Sequence, residues 1–217
     1  MSFFTRVANT HWPVTLREDE IHGPPYGSLI MRPLKTSDRT QWYAARTMNQ
    51  DWLAPWEAST PQVPGQKPAK ALTFAQYVRS QDRAARTGDS LSFVLIVDGI
   101  LAGQLSVASI TYGSLRGASI GYWVSRDVAG RGVAPTAVAL AVDYCFEQLH
   151  LHRIEINIRP ENHASLRVVE KLGLRDEGLR KNYLHIQGQW ADHRTFAVTS
   201  TEVPRGLLRR WRDQTEQ

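Results

Sequence analysis

Cysteine is nearly absent from this chain. Cys145 is the only one in 217 residues, so no intramolecular disulfide can form and nothing in the cysteine pattern speaks against the cytoplasm. The N-terminus, MSFFTRVANTHW, lacks the long apolar core of a secretory signal. Nowhere do about 18 apolar residues run together to span a bilayer. No Gly-Lys pair precedes Ser or Thr, which excludes a P-loop. There is no internal repeat, no low-complexity segment and no dense basic run. The 26 Lys plus Arg against 21 Asp plus Glu, net charge +5, therefore read first as an ordinary soluble surface, though one that also suits a polyanionic ligand. The expectation is a cytoplasmic protein with no membrane anchor and no direct nucleic-acid motif, a monomer or homodimer.

Hydrophobic residues make up 42% of the chain, enough for the core of one large domain. Residues 1–26 read as an N-terminal extension in which WPVTL adds a short strand and HGPPYG a turn; residues 27–217 read as the domain. SLIMRP is a strand ended by Pro33, and SDRTQWYAARTMN a helix with Ser37 or Asp38 as cap. AKALTFAQYVRSQDRAART is a helix stopped by Gly88. SLSFVLIV and ILAGQLSVASI form a hairpin around Asp98-Gly99, and ASIGYWV follows as a third strand. A helix from about Pro135 to Leu149 comes next. HRIEINI is then a strand with Ile154, Ile156 and Ile158 on one face. NHASLRVVEKLG is a helix with Asn162 near its cap and Gly173 just past its end, a final hairpin turns at QGQ, and VPRGLLRRWRDQ closes as an amphipathic helix. This order predicts a mixed sheet in an α/β or α+β domain, with a parallel crossover around Gly130.

That crossover contains SRDVAGRGVAPTAV, a glycine-rich turn between a strand and a helix. Such a loop crowds backbone amides at a helix start and favours an anion. A dinucleotide fingerprint would need a third glycine where Pro135 stands, and its ribose-binding acid should end the next strand. Glu155 has about the right spacing but lies inside that strand.

AGRGVA resembles the acyl-CoA loop of the GNAT acetyltransferase superfamily, Gln/Arg-x-x-Gly-x-Gly/Ala, with Gly132 and Ala134 in register and Ala129 replacing the first residue. Downstream, HRIEINIRPENHASLRVVEKLGLRDEG is similar to the GNATs that acetylate ribosomal-protein N-termini, the RimJ and RimL type. Asn162, Ser165, Lys171, Gly173, Leu174, Glu177 and Gly178 occupy the matching places, with Leu174 for the usual Phe. RTMNQDWLAPWEAS and GQWADHRTFAV resemble that group's first helix and loop and its last strand. The resemblance implies a GNAT fold: a mostly antiparallel mixed sheet of about seven strands, flanking helices and a splayed parallel pair at the acyl-CoA site.

It also implies acetyl-CoA as cosubstrate, held by backbone around Trp123 and Val124 and by Gly130, Arg131, Gly132, Val133 and Ala134, with Asn162, Ser165 and Lys171 contributing. Ser165 is the candidate donor to the leaving thiolate, or else the cap of its helix. Tyr183 is the rival acid, or else packs on its strand. Glu155 points away from the isoleucines and is a candidate base, or else half of an ion pair. Trp52 and Trp56 would wall the acceptor channel and Glu57 would receive the amine, while Trp42 is channel wall or core. Asp192 and His193 alone make a poor metal site, so no metal is expected. Cys145 reads as core.

An α-amino group, with a pKa of roughly 7.7–8.0, needs little help to reach its neutral form, whereas a lysine side chain needs a dedicated base. The resemblance to the RimJ and RimL type, with a tryptophan-bearing loop and no evident strong base, therefore implies acetylation of a protein N-terminus, a ribosomal protein being the model case. The alternatives are a GNAT acting on an aminoglycoside or polyamine, and a CoA-binding regulatory module without turnover.

Overall fold

The computed structural model describes residues 11–21, 27–65 and 70–215. In chain order they form β1 (Leu16–Glu18), β2 (Leu29–Pro33), α1 (Arg39–Met48), α2 (Gln50–Leu53) and α3 (Phe74–Arg86). Then follow β3 (Leu91–Val97), β4 (Ile100–Thr111), β5 (Gly117–Val124), α4 (Val133–Glu147), β6 (Arg153–Ile158), α5 (His163–Lys171), β7 (Arg175–Ile186), β8 (Gln189–Thr199) and α6 (Leu207–Thr215). The strands make one sheet of eight, ordered β1-β2-β3-β4-β5-β6-β8-β7, one more than the seven or so expected. Only β5 and β6 pair in parallel.

Local chemistry accounts for most element ends. Asp98 and Gly99 both take positive φ, which a two-residue turn between β3 and β4 requires. The first long helix begins after Asp38, whose carboxylate does not cap it but accepts from Arg32 Nη1 and Nη2 (2.7 and 2.9 Å) and from the Lys35 amide (2.8 Å). α3 starts at Phe74, inside the expected span, because Thr73 and Gln76 form a capping box there. α4 starts at Val133, two residues before Pro135, so the proline sits in the first turn, where a missing N–H costs nothing. HGPPYG lies mostly outside the described residues. The short strand expected at WPVTL forms later in the chain, as β1 at Leu16–Glu18, which shares only Leu16 with that stretch; it joins the main sheet beside β2, while Trp12 is buried edge-on against Phe93 (5.4 Å) with its Nε1 donating to Asp82 Oδ1 (2.9 Å).

Every residue of β3 is buried, because the sheet is covered on both faces. Alternate β3 side chains divide between two clusters. Leu91, Phe93, Leu95 and Val97 join α4, α5 and α6, while Val94 and Ile96 join Ala45 of α1 and Phe74 of α3. α4 is apolar around nearly its whole circumference, as a helix wedged into a core must be.

One break in the sheet positions the site. The β5–β6 register ends at Ser119↔Glu155, yet β5 stays paired with β4 as far as Val124 and β6 with β8 as far as Ile158. Beyond that point the two halves of the sheet part, and a gap opens at the C-terminal ends of the parallel strands. Ligands of mixed sheets bind at such ends.

Candidate active site

A cleft of about 1100 Å³ runs through this gap and is lined from both faces of the sheet. On the α4 side its walls are the turn Ala129–Pro135 and the first turns of α5. On the other side they are α1, the segment from Trp52 to Glu57, and the β4–β5 surface.

The glycine turn is shaped by two left-handed residues, Gly130 (φ 86°) and Gly132 (φ 76°). Gly132 is the N-cap of α4, and its carbonyl accepts from the Thr136 amide (3.1 Å). It has no side chain to cap the helix. Among the described residues, the amides of Gly130, Gly132, Val133 and Ala134 have no protein acceptor, and Pro135 has no amide to offer. Free amides at the positive end of a 15-residue helix form an anion site. Arg131 does not line the cleft; its Nη2 lies 3.7 Å from Asp98 Oδ2.

The open edge of β5 supplies a second set of backbone groups. Ser125 N–H donates to Ala102 O (2.7 Å), and hydrogen-bonded pairs alternate along an antiparallel ladder. Trp123 therefore turns its N–H and C=O to Gln104 on β4, and Tyr122 and Val124 turn theirs to the gap. The Val124 carbonyl is already taken by Trp52 Nε1 (3.1 Å). Of the two residues expected to offer backbone groups here, Trp123 thus presents its side chain instead.

Ser165 lies in the first turn of α5 and faces the cleft, but it is not the helix cap. Asn162 is, its Oδ1 accepting from the Ser165 amide (3.1 Å). Ser165 instead neighbours Tyr122, a residue that the sequence reading passed over. The Tyr122 hydroxyl is buried in the cleft wall without a hydrogen bond of good geometry. Burial pushes its pKa up, and the Ser165 hydroxyl pulls it part of the way back. Lys171 lines the cleft two turns further along α5.

In the other half, Trp42, Trp52, Trp56 and Glu57 all line the cleft. Trp42 is wall and core at once, since it also packs on the α1–α3 cluster. Glu57 is not free: Arg46 is ion-paired to it, and the Arg46 guanidinium lies 5.7 Å from the Trp42 ring centroid and 5.4 Å from that of Trp123. Glu161, the other lining carboxylate, pairs with Arg159 (3.1 Å). Gln104 underlies this half and is buried; its Oε1 accepts from Trp42 Nε1 (3.2 Å), and its Nε2 donates to Tyr77 Oη (3.0 Å) and Ser92 Oγ (2.9 Å). Arg46 and Gln104 carry no signal in the sequence beyond their residue type.

Glu155 and Tyr183 do not line the cleft. Glu155 does point away from the buried isoleucines, but Arg153 (2.9 Å) and Arg180 (2.9 Å) hold its two oxygens. Arg180 also donates to the Tyr183 hydroxyl (3.0 Å), and the ring of Tyr183 packs edge-on to His193. Asp192 Oδ1 accepts from the Asn182 amide (2.8 Å) and the His193 imidazole meets Ala191 O (3.0 Å) through Nδ1. Cys145 is fully buried, and burial pushes its thiol up to about 12, so it is no nucleophile. No helix among the described residues is long and apolar enough to cross a membrane.

Residues 28–175 match the family described as Acetyltransferase (GNAT) domain. The probable N-acetyltransferase YjcK of Bacillus subtilis is 31% identical over 179 residues, which is 81% of this chain and 96% of that protein. The ribosomal protein uS5-alanine N-acetyltransferase of Escherichia coli is 32% identical over 102 residues, 47% of this chain and 53% of that protein, so here the match spans about half of the relative. The solved structure of Mycobacterium smegmatis RimJ in complex with CoA-disulfide superposes with a TM-score of 0.80 at 36% identity, covering 92% of this chain and 93% of that one. The matched region contains the splayed strands, the glycine turn and the cleft between them, and this chain belongs to the GNAT family of acetyltransferases.

Proposed function

We propose that the protein moves an acetyl group from acetyl-CoA to the α-amino group of a protein N-terminus, in the manner of the ribosomal-protein acetyltransferases. One observation carries the choice of acceptor. Among the described residues, the two carboxylates that line the cleft are each paired to an arginine, and Arg46, His163, Arg167 and Lys171 line it as well. A basic cleft with an aromatic wall suits an anionic donor and a peptide carrying one amine. A polyamine needs several unpaired carboxylates instead.

Acetyl-CoA supplies the thioester, and the free amides of Gly130, Gly132, Val133 and Ala134 are the groups for its phosphates. The Tyr122 and Val124 amides on the open edge of β5 serve its amide-bearing arm. The bound α-ammonium first gives up one proton to solvent; the neutral amine nitrogen then bonds to the acetyl carbon, the C–S bond breaks, and the second proton on that nitrogen leaves to solvent. In this reading the Ser165 hydroxyl donates to the departing thiolate. Tyr122, not Tyr183, is the tyrosine beside it.

The test offers acetyl-CoA with four acceptors: a peptide beginning with alanine or serine, the same peptide blocked at its N-terminus but containing lysine, spermidine and an aminoglycoside. The free peptide is expected to be acetylated at its α-amine, as read by mass spectrometry. Acetylation of only the blocked peptide or only the small amines overturns the proposal.

A further inference from the structure

We propose that Arg46 and Glu57 form one recognition head, in which Glu57 takes the acceptor's α-ammonium and Arg46 the carbonyl oxygen of its first residue. This rests on the N-terminal reading above and names the residue that enforces it. The pair sits in the acceptor half of the cleft, one member on α1 and the other just after the turn Ala54–Trp56. Arg46 is held between the rings of Trp42 and Trp123. Trp42 is fixed in turn by Gln104, which is anchored to Tyr77 and Ser92. Glu57 is steadied from beyond: Ala58 bridges to Ile186, and the Ser59 amide donates to His185 O (2.8 Å). The head is therefore preorganised by a polar base set into an apolar cluster.

Its chemistry is that of a complement. A guanidinium offers forked N–H donors and no acceptor; a carboxylate offers acceptors and no donor. An α-ammonium next to its own carbonyl presents the reverse pattern within one residue. Such an acceptor replaces the Arg46–Glu57 contact with two contacts of its own and leaves neither charge stranded. A lysine side chain or an alkylamine has no carbonyl at that distance and would leave Arg46 unpaired. A polyamine brings further cations towards Arg46 and is repelled. Arg46 thereby acts as a filter against small cationic amines as well as a contact for the peptide.

Three acceptors decide the matter: a peptide beginning with alanine, isopropylamine (alanine's amine and methyl without the carbonyl) and spermidine. Arg46→Met keeps the apolar stem between the tryptophans and removes the fork. It is expected to lower kcat/KM for the peptide about 10- to 100-fold, mostly through KM, as loss of a charge-assisted hydrogen bond does. Its rate with isopropylamine should not fall, and its rate with spermidine should rise because Glu57 is released. Arg46→Lys keeps the charge without the fork. It should lose the peptide preference over isopropylamine without gaining spermidine, and it decides the question by that ratio if Arg46→Met does not fold. Acetyl-CoA affinity and melting temperature are measured for both. A peptide rate that is unchanged, or that falls in step with isopropylamine, overturns this inference. If the unaltered protein acetylates the peptide N-terminus while Arg46→Met changes nothing, only the recognition head fails. If the unaltered protein acetylates only spermidine or lysine side chains, the N-terminal reading fails and the head with it.

Discussion

Replacing Gly132 by valine separates the two jobs of the glycine turn, shaping the backbone and admitting an anion. Gly132 caps α4 at φ 76° and ψ −3°. An L-residue in that left-handed well costs about 1–2 kcal/mol. In a domain of this size, each kcal/mol lowers Tm by roughly 2–4 °C, so a drop of about 2–8 °C is expected and the protein should remain folded. The binding loss is larger. The unpartnered amides of Gly132, Val133 and Ala134 follow one another along the chain, and a β-branched side chain at their start keeps a phosphate away. Losing two charge-assisted hydrogen bonds at about 1.5–3 kcal/mol each amounts to 3–6 kcal/mol, a fall of roughly 10²- to 10⁴-fold in affinity. Titration calorimetry with CoA reads that loss directly. Turnover with S-acetylpantetheine, which lacks the phosphates, is the control and should fall far less. If folded Gly132→Val binds CoA as tightly as the parent, or if both donors lose equally, the turn does not hold the phosphates.

Ser165→Ala should lower kcat and kcat/KM together by about 10²-fold or more, as loss of a proton donor does, with acetyl-CoA affinity kept. Because Asn162 is the cap of α5, the melting temperature should fall in Asn162→Ala, by the equivalent of about 1 kcal/mol, and hardly at all in Ser165→Ala; the opposite pattern would make Ser165 structural. Asp38 is one of the acid-sensitive groups of the fold. Burial would raise its pKa, but the Arg32 fork and the Lys35 amide outweigh that and hold it below the usual carboxylate range. A depressed folded pKa means that its stabilisation is complete above about pH 4 and is lost as pH falls through the lowered value. Asp38→Asn should therefore cost about 2 kcal/mol at pH 7 by denaturant unfolding, with the gap to the parent closing in acid; a gap that does not depend on pH would show that the carboxylate charge is not what matters.

Local chemistry made much of this protein legible in its sequence. Asp98-Gly99 defines a hairpin because only a few residue types tolerate positive φ at both places. Ile154, Ile156 and Ile158 mark a buried strand face because side chains alternate. Gly130 and Gly132 announce a strand-to-helix turn with exposed amides because no Cβ obstructs it. Trp52 and Trp56 stand out in the sequence as aromatics in a polar loop after the first helix, and both line the cleft. Partnership across the fold was not readable. Glu155 looked available as a base until Arg180, 25 residues on, proved to hold it. Tyr183 looked like an acid until the same arginine claimed its hydroxyl. Tyr122 and Ser165 become neighbours only because β5 and β6 separate after Ser119, and Arg46 meets Glu57 only because α1 and the turn after it fold over the sheet. Backbone preferences act over a few residues and leave their mark in local residue choice. The charge state, burial and direction of a polar side chain depend on whatever the packed sheet and helices bring against it, and that is set by contacts between distant parts of the chain.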